Sequence, residues 1–349
     1  MAISHRKSLL ASSTYKIEPS VSTKKYKLDV AEMAYPISPR VKEALCEITE
    51  LEIKRYPGYE SLIRKISVIN SVPPESILQY NGADEALKCI MDAYVDPAST
   101  VVSAWPSFPM TRIFAEASGA KFKTIDYIKR WIYPTEDLVK AVNENTSIVV
   151  ITSPNNPTAD AVNADIVSEI AVSAPNCLIV LDETYAAYSG YLTECVHMHE
   201  NVIIVRSLSK DYGLAGLRIG YIIARPNVIN TLRKVTPPYN VNSIALKLAT
   251  AALEDYEYYR AIWDEVIHTK YSFIEAMRLN DIVTYNSDAN FVLLNIGKNA
   301  AEVKKNLLKS DIIVKCYENG VLDGHLRVSM PRLNEVEYLI KSIVNTVYC

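Results

Sequence analysis

VRSLSKDYGLAGLRIGY, Val205 to Tyr221, places one lysine, Lys210, between serine hydroxyls and a glycine-punctuated segment that carries Arg218. An amine, several hydroxyl donors and a guanidinium at this spacing point to a site for an aldehyde cofactor that also carries a phosphate. Lys210 can form an imine with the aldehyde. Ser207, Ser209 and Arg218 can hold the phosphate through charge-assisted hydrogen bonds. Read alone, the stretch also fits a solvated turn between a strand and a helix, with Lys210 one surface lysine among many.

Around this stretch, short β-rich runs alternate with helical patterns from about residue 60 to about residue 235. Expected strands are Ile77–Tyr80, Thr100–Ala104, Lys121–Ile125, Ser147–Ile151, Leu178–Leu181, Val202–Val205 and Arg218–Ile223, with helices at Ala83–Ala93, Phe108–Ser118 and Ala164–Ser173. Continuous rather than alternating apolar strands suit a largely parallel sheet covered by helices on both faces. Ligands of such sheets gather at the carboxyl ends of the strands. NGADE (Asn81–Glu85), WPSFP (Trp105–Pro109), SPNNPT (Ser153–Thr158) and DETY (Asp182–Tyr185) each follow an expected strand.

The paired prolines of PPYNVN, Pro237–Asn242, break this pattern. From Ser243 to about Leu279 the chain reads as one or two long helices. Beyond lie strand patterns at Asn290–Ile296, Ile312–Tyr317 and His325–Met330, a helix from about Ala301 and a final helix from Leu333. The expected organisation is an N-terminal arm and part of a small domain over residues 1–40, a large domain over 41–242, and a small C-terminal α/β domain over 243–349.

A formal charge of −3 with dispersed basic residues gives no electrostatic case for nucleic acid. The apolar runs are strand-sized, far short of a bilayer crossing. The opening MAISHRKSLLASSTYKIEPS lacks the sustained apolar core of a secretory signal and reads as a free arm. Six widely spaced cysteines without a CxxC pair read as reduced thiols of a cytoplasmic protein. His197 and His199 find no third ligand at a recognisable spacing, so no metal is expected.

NGADE opens a helix, where backbone N–H groups and the helix dipole favour an anion; a plain helix cap with Asp84 in its first turn is the alternative. Phe108 can offer a flat face to a ring, or simply pack under the sheet. Asn156 can donate to an anionic ring oxygen, or serve only its turn. Asp182 ends the run CLIVL, where a carboxylate is costly to bury unless something basic meets it. A protonated ring nitrogen would be such a partner, with Tyr185 donating to the phenolic oxygen of the same ring. A metal-bound Asp-Glu pair or a satisfied strand-end carboxylate competes. The pieces act together if the ligand is pyridoxal 5′-phosphate: Lys210 holds the aldehyde and later moves a proton, and Asp182 keeps the ring nitrogen protonated. Arg327 in HLRVSM can grip a substrate carboxylate or phosphate from the small domain, or form an internal ion pair.

RYPGYESL (Arg55–Leu62), NGADE, SPNNPT, DETY, SLSKDYGLAGLRIGY, PPYNVN and HLRVSM occur in the order found in fold type I, pyridoxal phosphate-dependent aminotransferases. From about residue 25 onward the chain resembles that family, and most of all its histidinol-phosphate aminotransferase branch. The resemblance implies a mostly parallel, seven-stranded-type sheet with helices on both faces and a smaller α/β domain. Lys210 matches the lysine that bonds the cofactor, Asp182 the partner of the ring nitrogen, and Asn156 and Tyr185 the donors to the ring hydroxyl. Phe108 stands where the family usually stacks a tyrosine. Ala83, Asp84, Ser207, Ser209 and Arg218 match the phosphate cup. Tyr56 matches a residue that reaches into a partner subunit, which implies a homodimer with shared active sites. Asn240, Tyr35 and Arg327 border the substrate, Arg327 matching the arginine that grips its anionic end.

Three departures stand out. The loop that usually reads NENPYGPSP is AEMAYPISP here, Ala31 to Pro39; NPTG has become NPTA at Ala159; and an arginine of the IIVR-like strand is Lys315. The cofactor core is intact while the substrate wall is altered. The implied reaction is transfer of an amino group between histidinol phosphate or an amino acid and a 2-oxo acid such as 2-oxoglutarate. An aromatic amino acid as donor, or a threonine-phosphate decarboxylase-like cleavage, would use the same lysine and aspartate. A non-catalytic cofactor-binding module is the remaining alternative.

Overall fold

The computed structural model describes residues 5–10, 12–15, 25–127 and 131–348. Of the expected N-terminal arm, residues 1–4, 11 and 16–24 lie outside the described residues.

The described chain forms two sheets. In chain order the strands are β1 (Tyr26–Leu28), β2 (Ile77–Tyr80), β3 (Thr100–Trp105), β4 (Lys121–Asp126), β5 (Thr146–Thr152), β6 (Leu178–Asp182), β7 (Val202–Ser207), β8 (Gly220–Ile223), β9 (Val283–Thr284), β10 (Phe291–Asn295), β11 (Ile312–Tyr317) and β12 (His325–Ser329). The seven-stranded sheet runs β2-β8-β7-β6-β5-β3-β4 and the five-stranded sheet β1-β11-β12-β10-β9.

The central strand runs IVVI, LIVL and VIIV are apolar at every position because both of their faces are covered. Val149, Ile151, Ile179, Leu181 and Ile204 belong to one buried core, while Ile148, Val150, Leu178, Val180, Ile203 and Val205 belong to another. Neighbouring residues thus point to opposite layers, as the pleat requires, and each such side chain contributes roughly 1.5–3 kcal/mol by leaving water. At the edge, β4 carries exposed Lys121 and Lys123, charges that discourage further pairing.

Within this sheet β8 alone is reversed. Pairs β3·β4, β3·β5, β5·β6 and β6·β7 are parallel, whereas β8 pairs antiparallel with both β7 and β2. Hence β2, β5, β6 and β7 all end on the same edge of the sheet, and β8 begins there. Arg218, expected inside a strand, instead sits just before β8 with left-handed backbone, φ 53°.

The region after Ser243 forms two helices, Ser243–Glu254 and Tyr256–Leu279. The second packs on β9 and β10 of the smaller sheet. The N-terminal strand β1 completes that sheet by pairing parallel with β11. The last helix begins at Val336, after a turn of 3₁₀ helix at Leu333–Glu335.

Candidate active site

The loop from β7 to β8 closes on itself. The Leu208 N–H donates to the Ile219 carbonyl and the Leu214 N–H to the Leu208 carbonyl, both at 3.0 Å. Lys210 emerges from this knot, half-buried, and its Nζ donates to the Val30 carbonyl at 2.7 Å. Burial first, and the nearby Arg327 guanidinium second, push its pKa down to about 8.

Asp182, the last residue of β6, is 4% exposed. Its two hydrogen bonds come from the Thr184 N–H (3.1 Å) and hydroxyl (2.6 Å), and both end on Oδ1. Among the described residues no cationic side chain pairs with it, and burial pushes its pKa up to about 6. A buried carboxylate of this kind fits a ligand that presents a protonated nitrogen.

After β5, the SPNNPT turn is fixed from inside. Asn155 donates to the Pro106 carbonyl (2.9 Å) and to Thr158 Oγ1 (2.6 Å), and accepts from the Ser107 hydroxyl (2.7 Å). Its neighbour Asn156 is thereby turned toward Tyr185, whose hydroxyl accepts from Asn156 Nδ2 at 3.4 Å. Burial raises the Tyr185 pKa, so the phenol stays protonated and remains a donor.

Opposite this pair, Gly82 precedes the helix Ala83–Tyr94 with φ 83°. A Cβ on Gly82 would stand 2.7 Å from the Arg218 guanidinium, and one on Gly220 would stand 2.7 Å from the Ala83 nitrogen. Only glycine lets the helix start, β8 and Arg218 come so close. Arg218 donates to Ser209 Oγ (3.4 Å) and pairs with Asp84 (3.1 Å), while Ser207 Oγ accepts from the Ser209 N–H (3.2 Å). Helix N–H groups, two serines and a guanidinium therefore converge on one small region, which fits a phosphate.

The smaller sheet supplies the facing wall. Arg327, 6% exposed, donates to Asn156 Oδ1 and to the Asp29 carbonyl, while its Nε is buried without a protein partner. Its guanidinium lies 5.1 Å from the Phe291 ring, which meets Tyr185 edge-on at 5.1 Å. Lys315 is in register with Arg327 across β11 and β12. Four consecutive carbonyls of the strap from 28 to 31 accept from side chains: Leu28 from Ser329, Asp29 from Arg327, Val30 from Lys210 and Ala31 from Asn290. Ala31 and Ala159, two of the departures read from the sequence, are both fully buried with left-handed backbone, φ 56° and 65°. They meet in one cluster with Tyr185, Ala289 and Phe291.

The other expected residues are engaged by protein neighbours of their own. Phe108 starts the helix Pro109–Ser118, packed partly against the core. Tyr35 spends its hydroxyl on Glu265 (2.8 Å) and on the Leu333 N–H (3.2 Å). Asn240 donates to the Gln79 carbonyl (3.2 Å) and Glu85 (2.7 Å), which ties it to the end of β2. Tyr56 is 79% exposed and stacks on Tyr239 at 4.2 Å. Two residues escaped the sequence reading. Thr184 orients Asp182, and a polar residue two positions after an aspartate was the available local signal. Tyr15 of the arm lies 6.4 Å from the Phe108 ring, a contact with no local signal. Among the described residues, no group of three or more His, Cys, Asp or Glu side chains is placed to hold a metal ion.

The family model for aminotransferases of class I and II matches residues 23–343. The histidinol-phosphate aminotransferase of Caldanaerobacter subterraneus subsp. tengcongensis is 30% identical over 325 residues, covering 91% of this chain and 92% of the relative. Histidinol-phosphate aminotransferase 1 of a Nostoc species is 31% identical over 330 residues, covering 93% and 92%. Among solved structures, the Sinorhizobium meliloti histidinol-phosphate aminotransferase in complex with pyridoxal 5′-phosphate superposes with a TM-score of 0.86 at 23% identity, covering 93% of this chain and 91% of that one.

Proposed function

The chain belongs to the class I and II aminotransferase family, and on that footing we propose that it exchanges the amino group of histidinol phosphate with a 2-oxo acid such as 2-oxoglutarate. It is a fold type I, pyridoxal 5′-phosphate-dependent aminotransferase. The observation that carries the assignment of roles is Asp182: a buried carboxylate that no described cation meets, at the strand edge where Lys210 also emerges.

When bound, the cofactor supplies an aldehyde for the amino group and a ring that accepts electron density. Asp182 would hold a proton on the ring nitrogen. Asn156 and protonated Tyr185 would donate to the ring hydroxyl, and Phe108 would lie against the ring. Ser207, Ser209, Arg218 and the N–H groups of Ala83 and Asp84 would hold the phosphate. Lys210, with its pKa near 8, keeps an appreciable neutral fraction close to neutral pH, and its amine is the base that takes the proton from Cα of the amino donor. Arg327 would fix the donor's anionic end, Lys315 would add a point charge beside it, and Tyr35 and, from the end of β2, Asn240 would border the substrate.

The same reading assigns residues 41–242 to a large domain, residues 243–349 to a small C-terminal domain, and residues 1–40 to an N-terminal arm and part of that small domain. It also makes the enzyme a homodimer. In support, a groove of about 1050 Å³ runs between the helices Pro39–Cys46 and Ser243–Glu254, and exposed Leu51 and Tyr56 line it. A second copy that covers it would bring Tyr56 to the partner's phosphate cup. Among the described residues no helix is long and apolar enough to cross a membrane, and the cytoplasm is the proposed location.

The test is a single-turnover absorbance assay of cofactor-loaded protein. Histidinol phosphate should convert the aldehyde form to the amine form, and 2-oxoglutarate should reverse it. Conversion only by aromatic or acidic amino acids would refute the proposed donor. Release of carbon dioxide from threonine phosphate would refute transamination as the main reaction.

A further inference from the structure

The loop that carries Lys210 is also gripped by its main chain, from two other elements. Tyr188 closes the 3₁₀ turn Ala186–Tyr188, is 4% exposed, and donates its hydroxyl to the Lys210 carbonyl at 2.9 Å. Trp263, 4% exposed on the helix Tyr256–Leu279, donates its indole N–H to the Asp211 carbonyl at 2.7 Å. The Asp211 carboxylate is buried in turn, and accepts from the Tyr191 hydroxyl (3.1 Å) and the Tyr212 N–H (2.9 Å). Tyr212 packs edge-on against Trp263, ring centroids 5.4 Å apart.

We propose that Tyr188 and Trp263 are positioning residues that fix the two peptide groups flanking the Asp211 Cα, Lys210–Asp211 and Asp211–Tyr212, and so aim the Lys210 amine at the reacting carbon. The inference rests on reading Lys210 as the lysine that bonds the cofactor. A lysine side chain has four rotatable bonds, so its amine is only as well placed as the main chain from which it starts. Displacement of a reacting group by about 1 Å can cost on the order of a hundredfold in rate. Packing alone does not call for these polar atoms, because phenylalanine would fill much of the same space at either position. Removing either donor leaves a carbonyl without its partner inside the protein, and the loop must shift to find another.

The placement also couples three parts of the site. Tyr188 lies on the turn that follows Tyr185, so one short segment serves both the ring-hydroxyl donor and the lysine. Trp263 lies on the helix that packs against β9 and β10, so the lysine loop is tied to the sheet that carries Arg327.

The test compares Tyr188→Phe and Trp263→Phe with the parent, all cofactor-loaded. One readout is the limiting single-turnover rate and half-saturating concentration with L-glutamate and with L-histidinol phosphate. The other is the pH midpoint of the visible absorbance without substrate. We expect each variant to lose about tenfold in limiting rate, with half-saturation held within about twofold. The absorbance midpoint should move by a few tenths of a unit or more. Parental rate and midpoint, with only a lower melting temperature, would show that both residues are merely structural. If Tyr188→Phe does not fold, Trp263→Phe decides by the same criteria. Lys210→Ala separates the two levels: visible absorbance kept in that variant overturns the reading of Lys210 itself, whereas its loss together with parental rates in the phenylalanine variants overturns only the clamp.

Discussion

The two walls of the site are built in different ways. On the large-sheet side, Asn156, Asp182, Tyr185, Ser207, Ser209, Lys210 and Arg218 all lie within or beside successive strand ends, and the order of the sheet brings them together. On the other side, Arg327 meets Asp29 across 298 positions of chain, Ser329 meets Ala31 across another 298, and Tyr15 approaches Phe108 from the arm. One wall follows from strand polarity alone, because β2, β5, β6 and β7 end on one edge where β8 begins. The other exists only after distant segments dock. A wall of the second kind can change its chemistry without disturbing the sheet, and the departures at Ala31, Ala159 and Lys315 all fall there or at its seam.

If this contrast holds, damage to the large-sheet wall should abolish chemistry, and damage to the other should change which substrate is used. The largest effect is expected from Lys210→Ala. Turnover should fall by at least about a thousandfold, with loss of the visible absorbance of the lysine-bound cofactor. A variant that keeps both would sink the assignment.

Asp182→Asn should come next, with a loss on the order of a hundredfold in turnover, because an amide cannot hold a proton on the ring nitrogen by charge. The same change should stabilise the cofactor-free chain. Burial raises Asp182 from 3.8 to about 6, so the fold disfavours its ionised form. That cost is present in full above the folded value and disappears below the unfolded one. The gain should therefore be on the order of 2–3 kcal/mol near pH 7.5 and close to zero near pH 4. Denaturant midpoints of the two proteins at both pH values measure it. Equal stability at pH 7.5 would mean that the carboxylate is not strained by burial.

Arg327→Lys probes the docked wall. A single point charge cannot reproduce two N–H groups that already serve Asn156 and Asp29. Half-saturation by anionic donors should rise about 10- to 100-fold, while the visible absorbance of the loaded enzyme stays close to that of the parent. A large fall in absorbance would show that the two walls are not separable.

How much of this was legible in the sequence follows the same division. Apolar strand runs place β2 through β8 to within one or two residues, and the polar motifs after them lead to Asp182, Asn156 and Lys210. The misplacement of Arg218 within a strand has a local cause: LRIGY alternates like a strand, but Arg218 takes left-handed backbone, φ 53°, which side-chain alternation does not reveal. Tyr35 and Asn240 were expected at the substrate; the Tyr35 hydroxyl is engaged by Glu265 and the Asn240 amide nitrogen by Glu85, partners 230 and 155 positions away, while Asn240 Oδ1 is buried with no partner among the described residues. Spacing along a chain cannot show which of several distant carboxylates a hydroxyl or amide will find. Tyr15 fell outside the reading for the same reason.

The smallest effects test whether the altered seam is a settled packing solution. At Ala159, φ 65° and complete burial oppose each other. Glycine would remove a left-handed penalty of about 1–2 kcal/mol. It would also delete a buried methyl worth about 0.8 kcal/mol and restore freedom to the unfolded chain worth about 0.4–1 kcal/mol. These terms nearly cancel, so Ala159→Gly should shift the melting temperature by only a few degrees in either direction. Ala31→Asn is different. Asparagine accepts left-handed backbone readily, and the usual family loop has it there. In this chain, however, its amide would enter a cluster of Ala159, Tyr185, Ala289 and Phe291 side chains, whose only polar group is the Tyr185 phenol. Crowded into that packed cluster, it should destabilise the protein by about 1–3 kcal/mol, read as a lower denaturant midpoint. If Ala31→Asn proves neutral or stabilising while Ala159 is unchanged, the two alanines are independent drifts. If Ala159→Gly relieves the cost of Ala31→Asn, they changed as a pair, and the docked wall was repacked around Tyr185 as a unit.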